Sequence, residues 1–257
     1  MDINLMVLNV GNSRLAVGVF VGGELKYANR IPHGSHANWS GAIAEAWKLI
    51  SDLESPSVAA ASVNPALDEA VAKAAKDATG ETVAWVGRQI DLPIDVLTDK
   101  PTQTGVDRIL NIAAAYEQIE KCCIVVDAGT AITIDCCNDK GQFLGGAIAP
   151  GVSAMLAAMH QNTAKLPAVE FAVPVGAFGK STEQAMLQGV YHGIRGMVKE
   201  LTENYATELG TWPEIIATGG DAKTLFEGWD LIHAVSPDLT LYGIALAYSN
   251  HYIKHES

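Results

Sequence analysis

Residues 8–13, Leu8-Asn9-Val10-Gly11-Asn12-Ser13, and residues 126–131, Val126-Asp127-Ala128-Gly129-Thr130-Ala131, repeat one pattern: an apolar strand enters a glycine turn and leaves as a second apolar strand. A hairpin that occurs twice, each time at the head of a similar run of elements, restricts the chain to folds with two like halves. Glycine lets a ligand approach the main chain, so backbone N–H groups and the small side chains of Asn12, Ser13 and Thr130 can reach phosphate oxygens. One such turn is an ordinary hairpin. Two at matching places imply a two-lobed phosphotransferase. The copies differ at their first polar position, Asn9 against Asp127, and an amide brings no negative charge to a metal-bound phosphate.

The surrounding pattern supports the duplication. Apolar, β-branched runs at residues 5–10 and 15–20, a turn at Gly22-Gly23 and a returning run at 25–31 predict a three-strand meander. A helical spacing through Trp39, Ile43, Ala46, Trp47 and Ile50 follows, then a strand at 58–63, a helix at 65–78 and a strand at 82–86. After a proline-containing stretch at 91–101 and a helix at 106–119, the pattern restarts with strands at 123–126, 131–136 and 143–148. Helices at 152–162 and 182–208, a strand at 214–218, and helices from Asp221 and Pro237 complete the chain. Strands interleaved with helices give an α/β fold of two similar lobes, each a mixed sheet flanked by helices. The boundary is drawn between 104 and 105, giving lobes 1–104 and 105–257.

About half of the 257 residues are apolar, enough for a substantial core. A formal net charge of -12 with no dense Lys/Arg run argues against nucleic acid or an anionic membrane surface as partner and favours a small ligand. The N-terminal residues lack a basic leader, and no apolar run approaches the ~18 residues of a membrane span, so a cytoplasmic location is expected. The four cysteines form adjacent pairs, Cys122-Cys123 and Cys136-Cys137. Neighbouring strand residues point to opposite faces, so neither pair is a natural chelate. The seven histidines are scattered and read as surface or packing residues.

Three further motifs carry chemistry. Thr218-Gly219-Gly220-Asp221 joins a strand to a helix; glycine there allows close backbone approach, and Asp221 can cap the helix. This is either a capped connection or a wall of an adenosine pocket. Gly105-Val106-Asp107-Arg108 opens a helix and holds a carboxylate beside a guanidinium: Asp107 could take a proton from an alcohol and Arg108 could fork onto a carboxylate, or the pair could be a first-turn acid and a surface Arg. Gly176-Ala177-Phe178-Gly179-Lys180-Ser181 imitates a P-loop, but the first glycine would fall at Pro174, so it reads as a loop before the helix at 182.

Together these residues resemble the type III pantothenate kinases of the acetate kinase, sugar kinase, Hsp70 and actin superfamily, whose lobes are RNase H-like. The resemblance runs from about Leu5 to Tyr248. It is densest at Gly105-x-Asp107-Arg108, Asp127-x-Gly129-Thr130-x-x-Thr133-x-Asp135, Gly145-Gly146-x-Ile148-x-Pro150-Gly151 and Thr163-Ala164-x-Leu166-Pro167. It implies transfer of the ATP γ-phosphoryl group to pantothenate, the first step of coenzyme A synthesis, with magnesium and a monovalent cation, potassium or ammonium, as cofactors. By motif position Asp107 would be the general base and Arg108 would hold the pantothenate carboxylate, with Gly105, Val106, Thr98 and Thr182 completing the acceptor site. Asn9, Gly11, Asn12, Ser13, Gly129, Thr130, Gly219 and Gly220 would bind ATP, and Asp127 would lie beside the metal. Members of the family look like homodimers with the substrate pocket at the subunit contact.

Two positions depart from the family pattern. Its first motif begins with Asp, here Asn9, and it has a Tyr nine residues before the base, here Thr98. Phosphoryl transfer depends on positioning and charge neutralisation, so the first change is expected to weaken ATP-magnesium placement and the second to loosen the acceptor pocket. Beside the kinase reading stand a non-catalytic nucleotide- or pantothenate-binding regulator, and a kinase for another small anionic alcohol.

Overall fold

A computed structural model describes residues 3–256, apart from the side chains at 36, 37 and 253–256. It contains two five-stranded sheets of the same topology. In the first, β1 (Leu5–Val10), β2 (Arg14–Val21) and β3 (Glu24–Pro32) form the meander, while β4 (Ser57–Ser62) and β5 (Ala84–Trp85) add in parallel, in the order β3-β2-β1-β4-β5. In the second, β6 (Cys123–Ala128), β7 (Ala131–Cys137) and β8 (Phe143–Pro150) form the meander, with β9 (Glu214–Thr218) and β10 (Ala234–Val235) parallel beyond β6. The two-residue β10 has no signal in the sequence, since alternation cannot be read over two positions.

β1 is buried along almost its whole length because both faces of the first sheet are covered. Met6, Leu8 and Val10 pack with α1 (Trp39–Trp47) and α2 (Asp68–Thr79) through Trp39, Ile43, Val71 and Ala75. Leu5 and Val7 face the other way, onto Leu110 of α3 (Val106–Ile119) and Leu241, Ile244 and Ala245 of α7 (Leu239–Glu256). A strand buried on both sides reads as a continuous apolar run, as 5–10 does. The outer strands β3 and β8 alternate between more and less exposed positions.

The second sheet packs Ile124, Val126 and Ile134 against α4 (Val152–Gln161), α5 (Thr182–Leu209) and α6 (Ala222–Phe226). The 28-residue α5 starts at Ser181, whose side chain accepts from the Gln184 N–H, and ends at Gly210 in the left-handed region.

The chain separates into two compact units, Met1–Ala114 with Asp238–Ser257, and Ala115–Pro237. This division differs from a boundary at 104/105: α3 runs through it, and α7 belongs with the first sheet. Periodicity marks α7 as a helix without saying which sheet it covers.

α7 meets α3 at Gly243, where an added Cβ would stand 2.3 Å from the Leu110 carbonyl oxygen, and Thr240 donates to Asn111 Oδ1 at 2.7 Å. Gly243→Ala is therefore expected to lower stability by about 1–3 kcal/mol through overpacking. A thermal melt against Gly196→Ala, where a Cβ meets open space, would check it, and equal melting temperatures would refute it.

Candidate active site

The hairpin connecting β1 to β2 presents Asn12 and Ser13 on the surface, with Gly11 partly covered. Gly11 N–H donates to the Arg14 carbonyl at 3.1 Å, closing the turn. Asn9 lies two residues upstream, paired with Ala16 on β2 and Ala61 on β4. Its Oδ1 is buried and has no hydrogen-bond partner among the described residues. An acceptor in that state costs about 1–3 kcal/mol, so a donor or cation reaching it would be bound favourably.

His33, placed by the end of β3, touches this turn twice. Its backbone N–H donates to the Ser13 carbonyl at 3.1 Å, and its Nε2 lies 2.8 Å from the Gly11 carbonyl. The reading of the histidines as surface or packing residues overlooked this contact. A single His after a strand-ending proline carries no spacing signal.

In the second unit Asp127 holds the position of Asn9, paired with Thr133 on β7 and Thr218 on β9. Gly129 N–H donates to the Ala131 carbonyl at 3.0 Å. Gly219 crosses directly over this strand end with φ +96. An added Cβ there would lie 2.4 Å from the Ala128 oxygen and 2.5 Å from Asp127 Oδ1, so glycine is required on both counts. Gly220 follows on the surface. Thr130, Gly129, Asp127 and Gly219 are thus brought together by the β6 turn and the β9 exit.

The expectation that Asp221 caps the following helix is not met. Asp221 has helical rather than extended backbone angles and makes no side-chain cap bond; an N-cap side chain reaches the helix amides from the extended region. Its backbone N–H instead donates to the Ala128 carbonyl at 2.9 Å, tying the connection to β6.

The acceptor-site candidates in the first unit also converge. Thr98 Oγ1 lies 3.1 Å from Thr104 Oγ1, which fixes the 91–104 connection beside the start of α3. There Gly105 and Val106 lead into Asp107, whose Oδ1 accepts from the Arg108 N–H at 2.8 Å. A Cβ on Gly105 would stand 2.8 Å from that oxygen. Desolvation pushes the Asp107 carboxyl above its ordinary value, against the opposing pull of the Arg108 amide and guanidinium. A base made stronger by burial is what proton abstraction from an alcohol requires.

Thr182 belongs to the second unit, exposed at the start of α5. The loop before it is pinned down: Gln188 Nε2 donates to the Gly176 carbonyl at 2.7 Å, and a Cβ on Gly179 would lie 2.4 Å from the Ala185 nitrogen. Those contacts use the P-loop look-alike to seat the loop on α5.

Among the described residues no three His, Cys, Asp or Glu side chains are grouped to hold a metal. A magnesium ion typically takes one or two carboxylates and completes its shell with water and substrate phosphates, so Asp127, a carboxylate beside glycine turns, fits that donor set. Two of the cysteines meet across strands: Cys123 Sγ and Cys137 Sγ are 3.3 Å apart in the core. Burial pushes the Cys122 thiol up to about 11 and the Cys136 thiol up to about 12, so both stay protonated at neutral pH.

The sequence profile of the family described as type III pantothenate kinase matches residues 5–204. The type III pantothenate kinase of Dehalococcoides mccartyi (strain CBDB1) is 34% identical over 259 residues, covering 95% of each chain. Among solved structures, a Campylobacter jejuni protein described as a Baf family transcriptional activator has a TM-score of 0.63 at 21% identity, covering 96% of this chain and 99% of that one. MreB 5 of Spiroplasma citri bound to AMPPNP has a TM-score of 0.52 at 12% identity, covering 100% and 99%. At such identities these two likenesses concern the fold alone, a two-lobe α/β fold.

Proposed function

Because the chain belongs to the type III pantothenate kinase family, we propose that it transfers the γ-phosphoryl group of ATP to the primary hydroxyl of pantothenate, giving 4'-phosphopantothenate and ADP. The match over 95% of both chains carries this reading. Asp107 takes the hydroxyl proton as the new oxygen–phosphorus bond forms and the bond from the γ-phosphorus to the bridging oxygen breaks; the electron pair leaves with ADP. Arg108 holds the pantothenate carboxylate, with Gly105, Val106 and Thr98 shaping the acceptor site, and Thr182 adds a substrate hydrogen bond. The turn amides around Gly11, Asn12, Ser13, Gly129 and Thr130 receive the phosphates, and Gly219 and Gly220 line the nucleotide. Asp127 would hold magnesium, which when bound would supply positive charge to the transferring group, and potassium or ammonium would be the monovalent cofactor.

The proposed working form is a homodimer. Phe178, Val175 and Ile148, all in the second unit, are 81%, 80% and 64% exposed, apolar surface of the kind a subunit contact covers. The proposed compartment is the cytoplasm, supported by four free cysteines. Among the described residues no helix is long and apolar enough to cross a membrane.

A coupled assay for ADP release with ATP, magnesium, potassium or ammonium, and pantothenate tests the proposal. Pantothenate-dependent ADP release is expected. ATP binding without such release would favour the second reading, a non-catalytic nucleotide-binding homologue, which the amide at Asn9 favours.

Asn9→Asp restores a negative charge at the equivalent of Asp127 and is expected to raise turnover about tenfold, about 1.4 kcal/mol of barrier, and to lower the magnesium concentration at half-maximal rate. Slower turnover in the variant would mean that Asn9 is adapted to this site as an amide.

A further inference from the structure

The two glycine turns are backed by different devices. In the second unit Gly151 follows the strand-ending Pro150, and its N–H donates to the Thr130 carbonyl at 3.1 Å. A Cβ on Gly151 would lie 2.3 Å from the Gly129 oxygen and 2.6 Å from the Thr130 oxygen. That turn is held by backbone packed directly on backbone. In the first unit the residue after the strand-ending Pro32 is His33, whose N–H makes the corresponding bond to the Ser13 carbonyl at 3.1 Å. The first turn is one residue longer, since Val10 pairs with Leu15 whereas Ala128 pairs with Ile132. The space that backbone fills in the second unit is spanned here by an imidazole: His33 Nε2 lies 2.8 Å from the Gly11 carbonyl, and its ring sits edge-on to Trp39 with centroids 5.7 Å apart.

We propose that His33 is a positioning residue for the nucleotide phosphates, acting through the Gly11–Asn12 peptide. With Nε2 protonated, the ring donates to the Gly11 oxygen. A trans peptide is planar, so its C=O and N–H point in opposite directions. Fixing the Gly11 oxygen on the His33 side therefore aims the Asn12 N–H away from His33, towards the exposed side of the turn. A preorganised amide binds an anion without first losing orientational freedom, and this benefit is confined to phosphate-bearing ligands. The inference rests on the reading of the turn as a phosphate site.

Three variants separate the roles of the ring. His33→Ala removes ring and donor, His33→Phe keeps a ring against Trp39 without the donor, and His33→Gln restores an N–H donor at similar reach. Calorimetric binding of ATP and of adenosine, with KM values for ATP and pantothenate, is the readout. His33→Ala and His33→Phe are expected to weaken ATP binding and raise its KM about tenfold. Adenosine affinity and the pantothenate KM should stay within about twofold, and His33→Gln should recover most of the loss. His33→Phe carries the test even if His33→Ala fails to fold. Wild-type ATP affinity in His33→Phe, or equal losses for ATP and adenosine, would overturn the inference alone. Wild-type protein that binds no ATP would overturn the phosphate reading as well.

Discussion

Asp107→Asn is expected to keep ATP binding and to lose two to four powers of ten in turnover, about the range for removing a general base. The amide matches the carboxylate in shape and can still accept from the Arg108 N–H, the 2.8 Å contact that seats the side chain. It cannot take the alcohol proton. The pH behaviour gives a second check. Burial raises the Asp107 carboxyl in the folded protein, so the acid limb of kcat/KM should lie higher than an ordinary aspartate would place it and vanish in the variant.

The stability effect has the opposite sign to that of a salt-bridged carboxylate. A folded-state pKa above the unfolded value means that the folded protein holds the proton more tightly, so stability falls as pH rises from the unfolded to the folded pKa. The neutral Asn escapes that loss, and Asp107→Asn should melt no lower than wild type at neutral pH. Wild-type turnover in the variant, under conditions where chemistry limits the rate, would remove Asp107 from the role of base.

Arg108→Ala is expected to raise the KM for pantothenate about 10- to 100-fold while leaving the KM for ATP within about twofold. Charge-assisted bonds of this type contribute about 1.5–3 kcal/mol, and each 1.4 kcal/mol is tenfold. The guanidinium recognises the anionic end of the acceptor by its fork of donors. The alcohol analogue of pantothenate, which lacks the carboxylate, should lose little on the same substitution. Equal losses for acid and alcohol would place Arg108 outside the acceptor site. Arg108→Lys distinguishes charge from geometry, since an ammonium keeps the charge without the fork.

Legibility followed the length over which each signal repeats. The helix expected at 106–119 is α3, Val106–Ile119, because its apolar positions recur through several turns. The meanders at 5–31 and 123–148 were legible from long apolar runs separated by glycine or Asn/Asp turns. The strand expected at 82–86 shrinks to Ala84–Trp85, since only these two residues pair with β4. β10 gave no signal for the same reason. Candidate site residues adjacent in sequence, Gly105 to Arg108 and Asp127 to Thr130, stay together in the fold because each group sits at the end of a single element, α3 or β6.

The sequence by itself determined the duplication, the alternation of strands and helices, and the positions of Asn9, Asp107, Arg108 and Asp127 at the ends of strands and the start of a helix, because these depend on local order along the chain. Only the tertiary structure decided that α7 covers the first sheet through Leu241 and Ile244, that Gly219 lies against the Asp127 carboxylate, that Thr98 bonds Thr104, and that His33 grips the turn at Gly11. Most of these contacts join residues many positions apart, and none recurs with a period. Their geometry is set by how strands and helices pack after the chain has turned back on itself, and no local pattern encodes it.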